Sequence, residues 1–279
     1  MKFSVFTVST PELTPEELLP TLKACGYDGV EWRVTKVPDE FRQEAPTCWR
    51  NNLATLDPDI SDAELDALKA LTEKHSLETS AILSYLTVGD LKGTENIMRI
   101  ARRLGAKHIR VGQAWYDRTE NYNSLYEKMI KYLHGVQELS QTYGVKGLLE
   151  THHLTINPSA GLAHRLASQF DPKHIGIMYD PGNLVYEGYE NYRKGLELIA
   201  PYLSHVHVKN VKLLAMEQPE GAWATIPDGA VDWKQVMLDL KSVGYDGYLG
   251  FEDFSNAQPI KQLLASNLDY IKNIIKQIN

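Results

Sequence analysis

One unit recurs along this chain: an amphipathic helical stretch, a glycine, and then a run rich in β-branched and apolar residues. The stretches 18–34 and 236–253 share the tetrapeptide Gly-Tyr-Asp-Gly, and the stretches 100–112 and 139–150 follow the same plan. A glycine directly after a helix suits the left-handed position at which many helices end, and the run after it suits a strand. The repetition predicts strands that alternate with helices.

Eight such units can be marked. The strands are predicted near residues 3–9, 28–34, 78–84, 107–112, 145–151, 174–180, 203–209 and 247–253. The helices are predicted near residues 14–25, 62–75, 93–104, 120–143, 158–169, 190–200, 232–242 and 258–277. Strict alternation predicts an α/β protein with a parallel sheet, and eight units favour a single (β/α)8 TIM barrel domain over residues 1–279. An open doubly wound sheet is the alternative, but no glycine-rich dinucleotide motif follows the first strand.

Composition narrows the expected partners and location. Of 279 residues, 43% are apolar and 23% are charged, and the net charge is −7. An acidic chain binds polyanions poorly, so we expect no nucleic-acid partner. Two cysteines, a start unlike a secretory leader, and no apolar stretch of about 18 residues predict a cytoplasmic protein without a membrane segment.

Polar side chains end four consecutive predicted strands. They are Glu150, Asp180, the alternating set His205, His207 and Lys209, and Glu252. In a parallel barrel these strand ends meet at one mouth, where adjacent strands lie about 4.8 Å apart. Carboxylates and a histidine enclosed together would repel or be desolvated unless a cation sat among them. Mixed oxygen and nitrogen ligation suits Mn²⁺, Mg²⁺, Co²⁺ or Zn²⁺.

Each of these residues has a simpler interpretation when taken alone. A glutamate at a strand end is commonly solvated or caps a helix, and Asp180 before Pro-Gly-Asn suits the start of a turn. His205 lies one layer deeper than His207 and is interpreted as a hydrogen-bonded core histidine. The metal hypothesis depends on four such residues falling at four successive strand ends.

Six motifs are spread over nearly the whole chain: GYDGVEWR, LLETH, YDPGNL, HVHVKN, AVDW and GFED. Together they resemble those of the xylose isomerase-like TIM barrel family of sugar phosphate isomerases and epimerases. The resemblance implies one divalent metal ion, Mn²⁺ first, with Zn²⁺, Co²⁺ or Mg²⁺ as alternatives. The ligands that it implies are Glu150, Asp180, His207 and Glu252. It also implies that Glu150 and Glu252 serve as catalytic acid and base.

The expected chemistry is enolisation of a sugar, a sugar phosphate or a related polyol ketone. A metal that chelates adjacent oxygens of a hydroxyketone would polarise the carbonyl and stabilise an enediolate. A carboxylate on each face could remove one proton and return another. Return to the same carbon gives epimerisation, and return to the neighbouring carbon gives aldose–ketose isomerisation.

Five residues near the proposed ligands or on the inward face of the second strand are expected to bind substrate. They are His152, Asn183, Lys209, Glu31 and Arg33. A structural ion pair between Glu31 and Arg33 is an alternative. Residues 49–52, which begin with Trp49, could form a lid over a sugar. Arg110 and Gln113 could bind substrate or be ordinary mouth residues. Trp49, Trp115 and Trp223 could stack on a sugar or serve loop packing.

Three positions depart from the ketose 3-epimerases of this family. Those enzymes carry a histidine, a glutamate and an arginine where this chain has Asn183, Ile156 and Leu213. The departures argue against a free-ketose 3-epimerase without affecting the metal hypothesis. LLETH and HVHVKN also resemble the dehydratases of the same superfamily, which act on 3-dehydroshikimate or inosose after the same enolisation. The lyase class therefore stays open.

Two other classes are less consistent with the residues. An enzyme like endonuclease IV would need more histidine ligands, yet the third and fourth strands end AILSYL and IRVGQ. A non-catalytic sugar-binding barrel would not need paired carboxylates. A homo-oligomer is compatible with the sequence, which reveals no specific interface.

Overall fold

The computed structural model describes residues 1–212 and 223–278. Its strands are β1 (Lys2–Phe6), β2 (Gly29–Val34), β3 (Glu78–Ser84), β4 (His108–Arg110), β5 (Lys146–Glu150), β6 (Ile175–Tyr179), β7 (Leu203–Val208), β8 (Asn210–Val211), β9 (Trp223–Ala224) and β10 (Tyr248–Phe251). All except β8 and β9 form a closed parallel barrel in the order β1-β10-β7-β6-β5-β4-β3-β2. The predicted TIM barrel is therefore confirmed.

The helices lie between the barrel strands and after the last one. They are α1 (Pro15–Cys25), α2 (Asp62–Lys74), α3 (Leu91–Leu104), α4 (Tyr122–Tyr143), α5 (Ala160–Ala167), α6 (Pro181–Tyr186), α7 (Tyr192–Ile199), α8 (Trp233–Ser242) and α9 (Ile260–Ile278). The short helix α6 and the antiparallel pair β8–β9 were not predicted. α6 begins directly after Asp180, because the Asp180 carboxylate accepts a hydrogen bond from the Asn183 backbone amide.

The two Gly-Tyr-Asp-Gly segments adopt the conformation that their sequence predicts. Gly26 and Gly244 follow α1 and α8 with φ angles of +91° and +72°. An L side chain is disfavoured at such angles, so glycine lets the chain leave the helix and turn toward the next strand. In both repeats, a glycine with positive φ ends the helix and lets the strand begin.

The strand β7 shows how the barrel separates its two layers. Val206 and Val208 belong to the large apolar core that includes the surrounding helices. His205 and His207 point to the opposite side and are fully buried. The alternating polar row thus faces the barrel interior, whose mouth carries the candidate site. Among the described helices, none combines the length and hydropathy that crossing a membrane requires.

Candidate metal centre and pocket

Four side chains meet at the C-terminal ends of β5, β6, β7 and β10. Glu150, Asp180, His207 and Glu252 are buried, and one possible ligand atom from each lies within 4.8 Å of the others. His207 Nδ1 is 3.3 Å from both Glu150 Oε1 and Glu252 Oε1. It is 4.0 Å from Asp180 Oδ2. The fold brings together the four residues predicted as ligands, and we call them the ligand cluster.

The chemistry of the ligand cluster fits a divalent cation. Three carboxylates and one imidazole provide the mixed donor set that Mn²⁺ and Zn²⁺ accept. His207 Nδ1 and Glu252 Oε1 are buried without a hydrogen-bond partner in the described residues. Buried polar atoms are normally paired, and a cation held among these four side chains would satisfy both atoms.

The electrostatics of the ligand cluster reflect the crowding of like charges. Burial raises the pKa of Asp180 to about 7. The positive charge of Lys209 lowers this pKa, and the negative charges of Glu252 and Glu150 raise it further. Burial also opposes ionisation of Glu252, but Lys209 and His207 lower its pKa to about 2. Additional positive charge at this position would stabilise all three carboxylates in the ionised state.

Lys209 is the ammonium group closest to these carboxylates. Its Nζ lies 2.7 Å from Asp180 Oδ2 and 2.8 Å from Glu252 Oε1. It also donates to Asn183 Oδ1 at 3.0 Å. The amide of Asn183 in turn donates to Asp180 Oδ2 at 2.7 Å. Both predicted substrate binders, Lys209 and Asn183, thus contact the ligand cluster, and their contact with substrate stays a prediction.

Arg110 and Gln113 orient one carboxylate of the ligand cluster. Arg110 Nη1 and Gln113 Nε2 both donate to Glu150 Oε2, at 2.8 and 3.0 Å. Sequence reasoning left both as mouth residues. The contact between Arg110 and Glu150 could have been expected from strand order. Arg110 lies on β4, next to β5, and pairs there with Leu148, two residues before Glu150.

Glu31 lies behind His207, on the side away from the ligand cluster. Its Oε2 is 3.1 Å from His207 Nε2, and its Oε1 is 3.1 Å from His205 Nε2. Oε1 also accepts a hydrogen bond from the Ser4 hydroxyl at 2.5 Å. A Cβ atom on Gly250 would lie only 1.9 Å from that same Oε1. The glycine therefore provides the space that the Glu31 carboxylate fills.

His205 is buried as predicted, but the hydrogen bonding expected for it is absent. Neither of its ring nitrogens has a hydrogen-bond partner in the described residues. Its Nε2 approaches Glu31 at 3.1 Å without hydrogen-bond geometry.

Arg33 points toward the loop that follows β2. It donates to Thr55 Oγ1 at 2.7 Å, to the Trp49 carbonyl at 3.1 Å and to the Tyr85 hydroxyl at 3.3 Å. The alternative of an ion pair between Glu31 and Arg33 is wrong, because the two side chains bind different partners. Substrate binding by either residue stays a prediction, and neither lines the pocket described next.

A pocket of about 300 Å³ opens at the barrel mouth beside the ligand cluster. Glu150, Glu252, Lys209 and His152 line it, whereas Asp180 and His207 lie behind this surface. Aromatic rings form much of its wall: Phe6, Trp49, Tyr85, Trp115, Trp223 and Phe254. The pocket therefore combines ionised groups with apolar ring surfaces.

The three tryptophans that sequence analysis left open all line this pocket. The Trp49 ring lies 5.3 Å from that of Phe254, which lies 4.8 Å from that of Trp223. The Trp115 ring meets His152 edge to face at 5.3 Å.

The three residues that differ from those of the ketose 3-epimerases lie in different surroundings. Ile156 is buried in the main apolar core, and Asn183 contacts Asp180 and Lys209. Leu213 lies outside the described residues, as do residues 214–222.

Comparisons with known proteins agree with this fold. An inosose dehydratase of Geobacillus thermodenitrificans is 30% identical over 123 residues, which cover 39% of this chain and 41% of that relative. The chain thus spans less than half the length of this curated relative. The 3-keto-D-glucoside 4-epimerase YcjR of E. coli has a TM-score of 0.76 and 18% identity, covering 98% of this chain and 99% of that chain.

A second solved structure, of the IOLI protein with a binding zinc atom, has a TM-score of 0.80 and 15% identity. It covers 100% of this chain and 99% of that chain. At these identities the structural likenesses show the fold. The family model described as xylose isomerase-like TIM barrel matches residues 19–274. Because that match spans most of the chain, the protein belongs to the xylose isomerase-like TIM barrel family.

Proposed function

We propose that this protein is a divalent-metal-dependent isomerase or epimerase that acts on a carbohydrate-like hydroxyketone through an enediolate. One observation carries the proposal: Glu150 and Glu252 belong to the ligand cluster and also line the pocket. They extend from β5 and β10, which β6 and β7 separate in the barrel. In this proposal the two carboxylates would approach a bound substrate from different sides.

In this proposal Glu150, Asp180, His207 and Glu252 hold the metal, Mn²⁺ first, with Zn²⁺, Co²⁺ or Mg²⁺ as alternatives. The metal would supply Lewis-acid stabilisation of the negative charge that develops on the substrate oxygens. With the metal bound, His207 Nε2–H would donate to Glu31 Oε2, 3.1 Å away, which would leave the Nδ1 lone pair directed at the ligand cluster.

The two pocket carboxylates would carry the proton transfers. One removes the proton from the carbon beside the carbonyl, and the other delivers a proton from the opposite side. Positioned acid–base groups of this kind contribute about 10²–10⁴-fold in rate. Arg110 and Gln113 fix the orientation of Glu150, and the charge of Arg110 lowers the pKa of that carboxyl group against the effect of burial. His152 lines the pocket and would bind a substrate hydroxyl.

A dehydratase is the second candidate. It is favoured by the relatives named inosose dehydratases and by Asn183 and Ile156, which stand where ketose 3-epimerases carry a histidine and a glutamate. Such an enzyme would begin with the same proton removal. The second carboxyl group would then protonate a departing β-hydroxyl group instead of a carbon atom.

The decisive experiment is NMR of deuterium exchange from D₂O into a panel of ketoses and cyclic hydroxyketones, with the Mn²⁺-loaded protein. We expect exchange at one α-carbon that stops when EDTA is added. A sugar isomer as product supports the isomerase or epimerase, and a dehydrated ketone supports the lyase. Exchange that persists in EDTA, or no exchange across the panel, contradicts the proposal.

The variant Glu252→Gln tests the acid–base assignment. The amide keeps the size of the side chain but cannot accept a proton, so we expect exchange to slow by about 10²-fold or more. Circular dichroism should be unchanged. The exposed residue Glu197 offers a matched control, since Glu197→Gln makes the same chemical change far from the pocket. Unchanged turnover in Glu252→Gln would refute the assignment.

A further inference from the structure

We infer that His153 is a specificity-determining residue of this site, whose Nε2 atom accepts a hydrogen bond from one hydroxyl group of the substrate. The inference deepens the proposed function and rests on it. Sequence analysis did not single out His153, which follows His152 in the loop after β5 and lines the pocket. Its contacts fix both the tautomer and the orientation of the ring.

Asn183 fixes the tautomer of His153. The Asn183 side-chain nitrogen donates to Asp180 Oδ2 at 2.7 Å and to the Thr151 carbonyl at 3.1 Å, which sets the orientation of the amide. Its oxygen receives the Lys209 ammonium group at 3.0 Å, and an ammonium group can only donate. Asn183 Oδ1 therefore acts as an acceptor, so His153 Nδ1, 2.9 Å away, carries the proton in this contact.

The second ring nitrogen of His153 is left as a free acceptor. In a neutral imidazole, a proton on Nδ1 leaves a lone pair on Nε2. Burial and the positive charge of Lys209 both lower the pKa of His153, so the ring is neutral at pH 8. Nε2 has no hydrogen-bond partner in the described residues, yet it is not sealed from solvent as both ring nitrogens of His205 are. A hydroxyl group that enters the pocket would find an unpaired acceptor there.

The His153 ring is held between two nearly parallel rings. Its centroid lies 4.4 Å from that of His152, with 21° between the planes, and 4.3 Å from that of Tyr186, with 23° between the planes. Trp115 meets His152 edge to face at 5.3 Å, and Trp223 meets Tyr186 in the same way at 6.0 Å. The stacking and the hydrogen bond to Asn183 hold the ring in one orientation, so the acceptor is preorganised.

His152 has the same tautomer as its neighbour. Its Nδ1 atom lies 2.7 Å from the His153 carbonyl oxygen, which can only accept, so the proton of His152 is also on Nδ1. Two stacked imidazoles thus offer two Nε2 acceptors on rings 4.4 Å apart. Hydroxyl groups on two nearby carbon atoms of one substrate could each donate to one of them.

An acceptor of this kind discriminates between oxygen functions. A hydroxyl group can donate to Nε2 of His153, whereas a carbonyl, an ether or a carboxylate oxygen has no proton to give. An analogue without the hydroxyl group would leave the acceptor unpaired, and the net free energy of one hydrogen bond corresponds to about a three- to tenfold change in affinity.

Nitrogen-15 NMR of the histidine rings tests the tautomer without any substrate. The full chain is labelled at histidine, loaded with one equivalent of diamagnetic Zn²⁺ and measured at pH 8. The ring of His153 is assigned by comparison with His153→Phe, or with His153→Gln if that variant does not fold. We expect a protonated Nδ1 and a non-protonated Nε2. A proton on Nε2, or on both nitrogens, overturns the inference.

The variant His153→Phe tests the contact with substrate, because it keeps a ring for stacking and removes both nitrogens. The assay is deuterium exchange with the Mn²⁺-loaded full chain, with D-fructose and 2-keto-myo-inositol as the first probes of the panel. We expect KM for the ketone that exchanges to rise about three- to tenfold. The kcat value should change little, since the proposed proton transfers belong to Glu150 and Glu252.

Two controls separate this contact from a structural role. Calorimetric titration should give the same Mn²⁺ affinity for His153→Phe as for the unchanged protein. His134→Phe makes the same chemical change at an exposed residue of α4 that does not line the pocket, and should leave KM unchanged. The variant His153→Gln takes the place of His153→Phe if circular dichroism shows that the latter is unfolded.

The outcomes distinguish the inference from the proposed function. An unchanged KM in His153→Phe overturns the contact and leaves the proposed function intact. A weaker Mn²⁺ affinity in this variant also overturns it, because His153 would then act on Asp180 through Asn183. No exchange with any ketone of the panel contradicts the proposed function, and the contact with substrate falls with it.

Monodeoxy derivatives of the reacting ketone identify the hydroxyl group. In the unchanged protein, the derivative that lacks the contacted hydroxyl should have a KM about three- to tenfold higher than its parent. In His153→Phe the same derivative and its parent should have equal KM values, because the partner of the hydroxyl is already gone. If every derivative loses as much in the variant as in the unchanged protein, the inference is overturned.

Discussion

At the residue scale, His207 presents its two nitrogens to two different sets of carboxylates. Nδ1 faces Glu150 and Glu252, and Nε2 lies against Glu31. In metal-binding proteins, a carboxylate on the second nitrogen of a histidine fixes the ring and increases its basicity. The position of Glu31 therefore gives it a positioning role that strand periodicity alone did not suggest.

We expect Glu31→Gln to weaken Mn²⁺ binding by about tenfold or more, because the neutral amide orients His207 less strongly. Calorimetric titration of the metal-free protein measures this directly. Gly250→Ala should cause a similar loss without changing any charge, because its Cβ would displace the Glu31 carboxylate. Affinities equal to that of the unchanged protein in both variants would rule out the positioning role.

His108, at the start of β4, provides a prediction about pH. Burial lowers its pKa to about 3, and His205 and Lys146 act in the same direction. The unfolded chain binds a proton at this residue near pH 6.5, whereas the folded chain does not. The free energy of unfolding should therefore fall as the pH drops below about 6.5, by at most about 1.4 kcal/mol per pH unit.

Urea denaturation at pH 7 and pH 5 of the unchanged protein and of His108→Asn measures this effect. The variant lacks the group that the unfolded chain protonates. We therefore expect its stability to fall less, by up to about 2 kcal/mol over this range. An equal fall in both proteins would show that His108 does not contribute.

At the scale of one element, β7 contributes to both the core and the ligand cluster. Its valines pack in the core that includes the helices, and its histidines face the interior. A slip of one residue would exchange the two sets, so the register of this strand is strongly specified. Its neighbours β6 and β10 hold Asp180 and Glu252 beside the same histidine.

We expect Val206→Ala to lower the free energy of unfolding by about 2 kcal/mol, since two buried methyl groups are removed and a small cavity remains. Metal affinity should stay unchanged, because Val206 points away from the ligand cluster. Leu238→Ala is the control, because Leu238 is 39% exposed on α8. This substitution should lower the free energy of unfolding by less than about 1 kcal/mol. A loss of metal affinity in Val206→Ala would contradict the separation of the two faces.

At the scale of the whole molecule, the ligand cluster joins four strands that are distant in the sequence. Glu150, Asp180, His207 and Glu252 come from β5 to β10, so a bound metal would connect segments about 100 residues apart. Removing it should lower the thermal midpoint. A free metal concentration of 100 times Kd stabilises the fold by about 2.7 kcal/mol.

Differential scanning calorimetry with Mn²⁺ and with EDTA measures this stabilisation. We expect the midpoint to rise with the metal concentration in the unchanged protein. The rise should be lost in Asp180→Asn, which removes one ligand charge without touching the pocket wall. A midpoint that does not depend on the metal would contradict the ligand assignment.

Much of this protein follows from local patterns in its sequence. The glycines at 26 and 244 end helices because their backbone requires positive φ, and the alternation in β7 directs valines and histidines to opposite faces. Parallel strands bring their C-terminal ends to one mouth, so the four ligand candidates could be predicted to converge. What local patterns omit is α6, which depends on the cap that Asp180 forms.

Sequence by itself determined the barrel, the two faces of β7 and the set of four converging side chains, because these follow from periodicity and chain direction. Only the tertiary structure decided the partners of each polar group. The β2–β3 pairing shifts register between Val30 and Glu31, and Glu31 lies behind His207 while Arg33 reaches the Trp49 loop. Lys209 forms ion pairs with Asp180 and Glu252, and Arg110 binds Glu150 and the Ser84 carbonyl. Such pairings depend on distances of a few ångströms between segments far apart in sequence, which no local pattern encodes.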